Sequence, residues 1–399
     1  PPRSTLFPYT TLFRSPYMRL AGPRALLMES LGAAGDQNLD PRDQAFRDLM
    51  TDPDNADPAQ AILAYFRAKV LRERYKLDPV RMVEVMNRFG PVDWRLCTAH
   101  ALYWIMQGNR MLDERTRITQ PRHEILNTRR VAFFSLQDLY RFGRLAFVPN
   151  REKPYESRYF SMPDMRFVDV LHNAYITLFK DAGEEGNNKA AQEYQLGHGN
   201  FLSDAIKSLF LNGDIEKAQY YYDYLRNNVL EPDGRTKEVY LQPLRDYVMR
   251  DYYERLVSAN MASVVVYEML FRSFEGLALN DLGACENRKQ WAATIYNYYM
   301  RDKVDDRTDR RQLPPFEDMQ AISLGNFIVA GPLPDEYKSR LWRSAPLPLR
   351  QRVYDTILPI LRAIVQENGW AIEKAFPEPE GMDRYRRSEE RRVGKECRS

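Results

Sequence analysis

The sequence predicts an all-α fold, an α–α superhelix built as an array of helical hairpins. Apolar residues recur at helical spacing in successive segments, whereas no series of alternating strand patterns is present. Short stretches rich in Gly, Pro, Asn and Asp separate these segments, as in helix-hairpin arrays and bundles. With 399 residues, 44% of them hydrophobic, the chain is long enough for one large or two medium domains.

The predicted helices follow one another along most of the chain. Asp78 and Pro79 supply an N-cap and a favourable first residue, and Gly90-Pro91 ends the same helix. Asn212-Gly213 separates two helices in the middle of the chain. The predicted helices span residues 43–50, 58–75, 79–89, 95–109, 122–142, 164–180, 189–211, 214–228, 237–256, 259–279, 285–301, 316–329, 335–344 and 349–368, and the tail from residue 375 is predicted to be extended.

Three segments carry more specific expectations. The sequences LAFVP and SRYFSMP predict one small β-hairpin near residues 145–161, or an irregular excursion in its place. His198 lies between Gly197 and Gly199, a pattern that indicates a helix break with a solvated imidazole, or a site. The run VVVYEMLF at residues 264–271 is apolar nearly all round, which predicts full burial.

The two chain ends resemble a translated sequencing adapter. Residues 5–15, TLFPYTTLFRS, and residues 387–397, RSEERRVGKEC, are translations of opposite strands of one adapter oligonucleotide. We therefore expect the native N-terminus to be missing, which leaves cytoplasmic and cell-envelope locations open. The expected organisation is adapter sequence at 1–15 and 387–399, a poorly ordered or truncated segment at 16–57, an N-terminal helical region at 58–182 and a C-terminal helical-hairpin region at 189–376.

The composition argues against nucleic-acid binding, a disulfide framework and a membrane span. The chain has 58 Lys and Arg against 55 Asp and Glu, and the two adapter-like ends hold seven of the former and three of the latter. The remaining 51 basic and 52 acidic residues give no reason to expect nucleic-acid binding. Outside those ends, Cys97 and Cys285 cannot form a disulfide framework or a CxxC metal pair. No apolar stretch is long enough to predict a membrane span.

Residues 205–233, AIKSLFLNGDIEKAQYYYDYLRNNVLEPD, resemble a tetratricopeptide-type helical hairpin. Gly213 lies at the turn, Ala218 at the expected close crossing of the two helices, and Pro232 near the next unit. No second copy follows at a strict 34-residue period. The resemblance implies an α-solenoid-like scaffold whose concave surface binds a protein or peptide, and it transfers no catalytic residues.

The densest group of chemically versatile residues lies in FGPVDWRLCTAHALYWIMQG, residues 89–108. Cys97, His100 and Trp104 share one face of a helix at spacing i, i+3 and i+7. His100 is a candidate general base, Cys97 a candidate nucleophile, and the aromatic face a candidate ligand surface. The alternative is a structural helix face packed by Trp and Cys. The candidate cluster comprises Asp93, Trp94, Arg95, Cys97, His100, Tyr103 and Trp104.

Common catalytic and cofactor motifs are absent from the sequence. It contains no HExxH, no GxxxxGKS/T, no GxGxxG after a predicted strand and no GxSxG. We therefore predict no cofactor, no metal site and no assigned catalytic residue. Two Tyr-rich segments, residues 220–224 and 296–299, are candidates for lining a carbohydrate or peptide groove, although Tyr also packs commonly between helices.

The function that this pattern favours is a non-enzymatic scaffold that binds a protein or peptide. One alternative is an α-helical enzyme of the α/α-toroid type, with a carbohydrate substrate and an aromatic-lined pocket. Another is an accessory protein of the cell envelope. An enzyme should bring two carboxylates, or His100 and a partner, together in one pocket, whereas a scaffold should present a broad groove.

Overall fold

The computed structural model describes Asp48 and residues 52–115, 122–148, 157–184, 186–230, 233–302 and 312–396. These residues form an all-α array with one small β-hairpin, so the predicted fold class is confirmed. The chain divides into two compact units, which we call the N-terminal unit, ending at Tyr194, and the C-terminal unit, beginning at Gln195. The predicted helix at 43–50 and most of the predicted 16–57 segment lie outside the described residues.

The N-terminal unit contains packed helices and the β-hairpin. Helix α4 contacts both α3 and α5, and its Arg129 pairs with Asp181 of α5 at 2.5 Å. The elements are α1 (Ala56–Val70), α2 (Pro79–Phe89), α3 (Cys97–Arg115), α4 (Arg122–Phe142), β1 (Arg144–Val148), β2 (Arg158–Met162), α5 (Val168–Glu184) and the first part of α6 (Asn188–Asn212).

Helix α2 begins and ends where the sequence predicts. The Asp78 carboxylate accepts a hydrogen bond from the Val80 N–H at 2.9 Å, and Pro79 is the first helical residue. At the other end, Gly90 has φ of +100°, a backbone conformation that favours glycine. The backbone N–H of Asp78 donates to the Tyr103 hydroxyl at 2.8 Å, so the start of α2 is attached to α3.

The predicted β-hairpin is present. Strands β1 and β2 are antiparallel, with Arg144 opposite Met162 and Val148 opposite Arg158. Gly143 connects α4 to β1 at a place where a Cβ would lie 2.1 Å from the Leu139 carbonyl oxygen. A larger residue there would force the chain out of this turn.

The C-terminal unit contains the rest of the helices. Helix α13 contacts α11, and α9 contacts α10, α11 and α12. The elements are the remainder of α6, α7 (Ile215–Asn228), α8 (Leu244–Glu254), α9 (Ala259–Ala278), α10 (Leu282–Asp302), α11 (Phe316–Ala330), α12 (Asp335–Ser344), α13 (Leu347–Asn368), α14 (Ile372–Ala375) and α15 (Met382–Glu396).

Helices α9 and α10 pack against each other more extensively than any other pair of elements in the described part of the chain. A Cβ on Gly276 would lie 3.0 Å from the backbone nitrogen of Cys285, so the two backbones approach closely at this glycine. The Ser273 hydroxyl donates to the Cys285 carbonyl oxygen at 2.8 Å across the same contact. The predicted full burial of residues 264–271 is wrong at Val264 and Glu268, which are exposed.

The turn between α6 and α7 packs against α10. Gly213 has φ of +94°, and a Cβ on it would lie 2.0 Å from the Asn287 side-chain nitrogen. The Arg288 Nε–H donates to the Asn212 side-chain oxygen at 3.0 Å. Ala218 on α7 is fully buried, whereas Pro232, the third position of the tetratricopeptide resemblance, lies outside the described residues.

Two further predictions of local structure are wrong. The predicted 237–256 helix is a 3₁₀ turn, Glu238–Tyr240, followed by α8, because Pro243 has no N–H to donate and disfavours a helical residue before it. The predicted break at Gly197 and Gly199 is absent, since α6 runs without interruption. His198 is buried there beside the rings of Phe201 and Tyr224.

The predicted extended tail is also wrong, because it contains α14 and α15. The Trp342 Nε1–H donates to the Pro377 carbonyl oxygen at 2.9 Å, and Phe376 is fully buried. At the start of α15, Arg386 donates to the Asp355 carboxylate at 2.7 Å and to the Glu378 carboxylate at 2.7 Å. Helix α15 then continues into the adapter-like sequence, whose Glu, Arg and Lys residues have high helix propensity.

Replacement of Gly213 by Ala should destabilise the C-terminal unit by about 2 kcal/mol, because Ala combines an unfavourable positive φ with a collision at Asn287. Gly283→Ala is the matched control, since a Cβ there meets nothing within 4 Å. It should leave stability unchanged or raise it by up to about 1 kcal/mol. Urea unfolding measures both, and equal effects would contradict the role assigned to the turn.

Candidate functional site

Asp93 and Arg95 form a compact turn before α3. One Asp93 oxygen accepts from the Arg95 backbone N–H at 3.0 Å and from its Nε–H at 2.8 Å. The other accepts from Arg95 Nη2 at 2.6 Å. The guanidinium also lies over the ring of Phe147 on β1, at 5.5 Å from its centre. This geometry fixes both charged side chains at the entrance to α3.

Trp94 and His100 are joined by a hydrogen bond that determines the tautomer of the imidazole. His100 Nε2 lies 2.9 Å from the Trp94 carbonyl oxygen, and because that oxygen can only accept, Nε2 carries the proton. The two rings meet edge to face at 6.3 Å, and the Trp94 indole N–H donates to the Met86 sulfur at 3.4 Å. His100 is buried, and burial lowers its pKa although the hydrogen bond to Trp94 raises it.

The structure does not bring Cys97 and His100 together as a nucleophile and base. Cys97 is exposed, His100 is buried, and no hydrogen bond joins them. The partner of the imidazole Nε2 is the backbone carbonyl of Trp94 rather than a carboxylate. These contacts favour the structural interpretation of the candidate cluster, in which its side chains hold the α2–α3 corner together.

The last two residues of the candidate cluster lie farther along α3. Tyr103 is buried and its hydroxyl accepts from the Asp78 backbone N–H, whereas 51% of the Trp104 surface is exposed. The Tyr103 and Trp104 rings meet edge to face at 5.2 Å. Of the seven residues, Trp104 therefore offers a large apolar surface to a partner.

A second Asp–x–Arg turn repeats the geometry of the first. Asp164 accepts from the Arg166 backbone N–H at 3.1 Å, from Nε at 2.8 Å and from Nη2 at 2.6 Å. The pKa of Arg166 is raised chiefly by its side-chain hydrogen bonding to Asp164. The negative charge of Asp93 raises the same pKa further. Asp164 is almost completely buried, so this turn is the more deeply seated of the two.

An open groove lies in the C-terminal unit between α10 and the start of α11. Its volume is about 550 Å³. The Tyr296 and Phe316 rings lie 5.4 Å apart at its wall, and burial raises the pKa of Tyr296. Among the described residues, the lining consists of Ala293, Tyr296, Asn297, Met300, Gln312, Leu313, Pro315, Phe316 and Glu317.

The two Tyr-rich segments have different environments. Tyr296 lines the groove, whereas Tyr299 in the same segment is buried. In the other segment Tyr222 is buried, and its hydroxyl donates to the Gln242 carbonyl oxygen at 2.7 Å. Burial raises the pKa of Tyr222 to about 12. Sequence reasoning therefore identified Tyr296 but missed Met300 and Phe316, between which the charged sequence RDKVDDRTDRR lies at residues 301–311.

Two further properties concern the described residues alone. Their His, Cys, Asp and Glu side chains form no group of three or more that could hold a metal ion. None of their helices combines the length and the apolar composition that a membrane crossing requires.

Comparisons with protein-family models, with curated proteins and with solved structures return no match to this chain.

Loss of the buried Asp–Arg turn should cost stability. Asp164→Ala removes a cap and a buried ion-pair partner, and we expect a loss of about 2 kcal/mol in the free energy of unfolding. Asp233→Ala removes the same kind of turn, with Arg235, at an exposed position and should have a much smaller effect. Chemical denaturation measures both, and an equal loss would show that burial of Asp164 is unimportant.

His100 should make stability depend on pH. Because burial lowers its folded-state pKa below the ordinary 6.5, the unfolded chain binds the proton more readily. His100 therefore does not reduce the free energy of unfolding above pH 6.5. Below that pH the free energy of unfolding decreases as the pH falls towards the folded-state pKa of His100. His100→Gln should reduce the loss of stability between about pH 7 and pH 5.

His172 provides the comparison for this titration. Burial lowers its pKa too, so His172→Gln should reduce the same loss, and the double variant should show the smallest pH dependence. Thermal melts across the pH range measure this. Unchanged pH dependence in His100→Gln would contradict the assignment.

Proposed function

We propose that this chain is a non-enzymatic helical scaffold that binds a protein or peptide partner. The observation that carries the proposal is the open groove beside α10, where Tyr296, Met300 and Phe316 present apolar surface next to polar Asn297. Aromatic side chains and Met are enriched where proteins meet partners. A groove of about 550 Å³ has room for one or two partner side chains.

Exposed apolar side chains on the same unit support the proposal. Met261 and Val264 are exposed at helical spacing on α9, and Val257, 80% exposed, lies just before that helix. Single exposed apolar side chains are common, but a stripe along one helix face favours contact with another macromolecule. The tetratricopeptide resemblance of residues 205–233 is part of this proposal, with Ala218 fully buried as such a hairpin requires.

The enzyme alternative receives less support from the same groove. Glycoside hydrolysis commonly uses a pair of carboxylates on either side of the scissile bond. Among the described lining residues, Glu317 is the one carboxylate. The groove thus offers an aromatic surface of the kind that carbohydrate binding uses, without a second acid in the described lining.

Substitutions in the groove should weaken binding to peptides selected on the intact chain. A displayed library of random peptides supplies the ligands, and fluorescence anisotropy measures their affinities. Tyr296→Ala and Met300→Glu should each weaken binding about ten-fold or more, since central aromatic and Met anchors dominate interfaces.

Tyr220→Ala is the control, because Tyr220 is 62% exposed on α7 and does not line the groove. Its peptide affinity should match that of the unchanged chain. Selection of no peptide, or equal losses in the control and groove variants, would overturn the proposal that this groove binds a partner.

A further inference from the structure

The groove beside α10 has a single negative charge in its described lining, at Glu317, and that lining contains no Lys or Arg. Two nearby acids are already paired. Asp318, in the same first turn of α11, pairs with Arg352. Asp302, at the end of α10, pairs with Arg301 at 2.8 Å. Glu317 is exposed and forms no ion pair with a described residue, so its carboxylate is available to a positively charged group.

Two aromatic rings line the groove together with this charge. Tyr296 of α10 and Phe316 of α11 have ring centres 5.4 Å apart, and their planes are inclined at 53°. An aromatic ring attracts a cation that lies over its face within about 6 Å of its centre. The groove thus combines two rings and a carboxylate that attract a cation, whereas the same carboxylate repels an anion.

The Glu317 carboxylate also acts on the Tyr296 side chain. Burial raises the pKa of Tyr296, and the negative charge of Glu317 raises it further. The phenol is therefore uncharged near neutral pH, which leaves Glu317 as the one charge of the described lining. A cation held against the Tyr296 ring is attracted by this carboxylate as well.

The segment that leads into α11 is attached at both of its ends. The Leu313 side chain is buried, and the Leu313 backbone N–H donates to the Met300 sulfur on α10 at 3.5 Å. The ring of Pro315 restricts the backbone, and the Pro315 carbonyl oxygen accepts from the Asp318 N–H at 2.9 Å. A ligand therefore meets Phe316 on a backbone that is already ordered, which lowers the entropic cost of binding.

We propose that the partner peptide places the basic side chain of a Lys or Arg against the Tyr296 and Phe316 rings and beside the Glu317 carboxylate. This assignment rests on the proposed function, since it specifies what the bound peptide presents. The alkyl part of the basic side chain packs against Met300, while its charged end stays close to Glu317 and water. Met300→Glu removes that apolar contact and the sulfur that holds Leu313, so its loss of binding is expected although it adds an acid.

The peptides selected on the intact chain provide the first test. They should share a Lys or Arg at one position, and the tightest of them, labelled with fluorescein, is the probe. Norleucine at that position keeps the alkyl chain without the charge and should weaken binding about five-fold. Glu at that position should weaken binding about twenty-fold or more, because it is repelled.

Salt provides a second measurement on the same peptides. Affinity for the basic peptide should fall as NaCl is raised from about 0.01 M to about 1 M, because the range of charge interactions shortens from about 30 Å to about 3 Å. Affinity for the norleucine peptide should change much less. Equal salt dependence of the two peptides would show that the basic side chain binds away from Glu317.

Variants of the two neighbouring acids assign the charge to Glu317. Glu317→Gln should weaken the basic peptide about three-fold and reduce the loss caused by norleucine to about two-fold. Glu317→Lys should reverse the preference, so that the peptide with Glu binds more tightly than the original. Asp318→Asn is the matched control, because it removes the same charge from the same helical turn outside the groove lining, and affinity should stay within about two-fold.

Variants of Tyr296 test the role of the ring. Tyr296→Phe keeps an aromatic face and should keep the preference for the basic peptide over the norleucine peptide. Tyr296→Leu keeps apolar area without the ring and should reduce that preference about two-fold or more. An undiminished preference in Tyr296→Leu would contradict the contact between the cation and this ring.

The identity of the side chain and the groove itself can fail separately. Selected peptides that lose affinity in Tyr296→Ala but lack Lys and Arg, or that bind equally with norleucine, would overturn the basic side chain and leave the groove as a peptide site. Equal effects of Glu317→Gln and Asp318→Asn would do the same. Selection of no peptide, or full affinity in Tyr296→Ala, would overturn both proposals.

Discussion

The close approach of α9 and α10 is the contact on which the C-terminal unit depends. It requires glycine at 276, where a side chain would meet the backbone of Cys285. Once α10 is fixed against α9, its Asn287 and Arg288 reach the end of α6, and its residues from Ala293 to Met300 form one wall of the groove. The close contact at Gly276 therefore helps to position the groove that we propose to bind a partner.

Local sequence signals predicted most of the elements because they act within a few residues. Asp78, Pro79 and Gly90 determine the ends of α2 through backbone conformation and capping, and no distant contact is needed. The predictions failed where a longer-range contact or a single proline outweighed the pattern. Burial of His198 between aromatic rings keeps α6 continuous through its glycines, and Pro243 divides a segment that otherwise has helical periodicity.

The candidate site was less predictable than the fold for the same reason. Helical spacing placed Cys97 and His100 on one face, but spacing does not determine depth, and one is exposed while the other is buried. The groove combines Tyr296 with Phe316, twenty residues apart in the sequence, so tertiary packing alone shows that they are neighbours.

Helix α10 carries two surfaces of different chemistry along its length. Near its start, Arg288 donates to the Asn212 side chain of α6, and burial lowers the pKa of its guanidinium. Farther along, Tyr296 and Met300 offer apolar surface, where binding depends on removing area from water. The second surface should tolerate varied partners that share a basic side chain, because apolar contacts are less directional than hydrogen bonds.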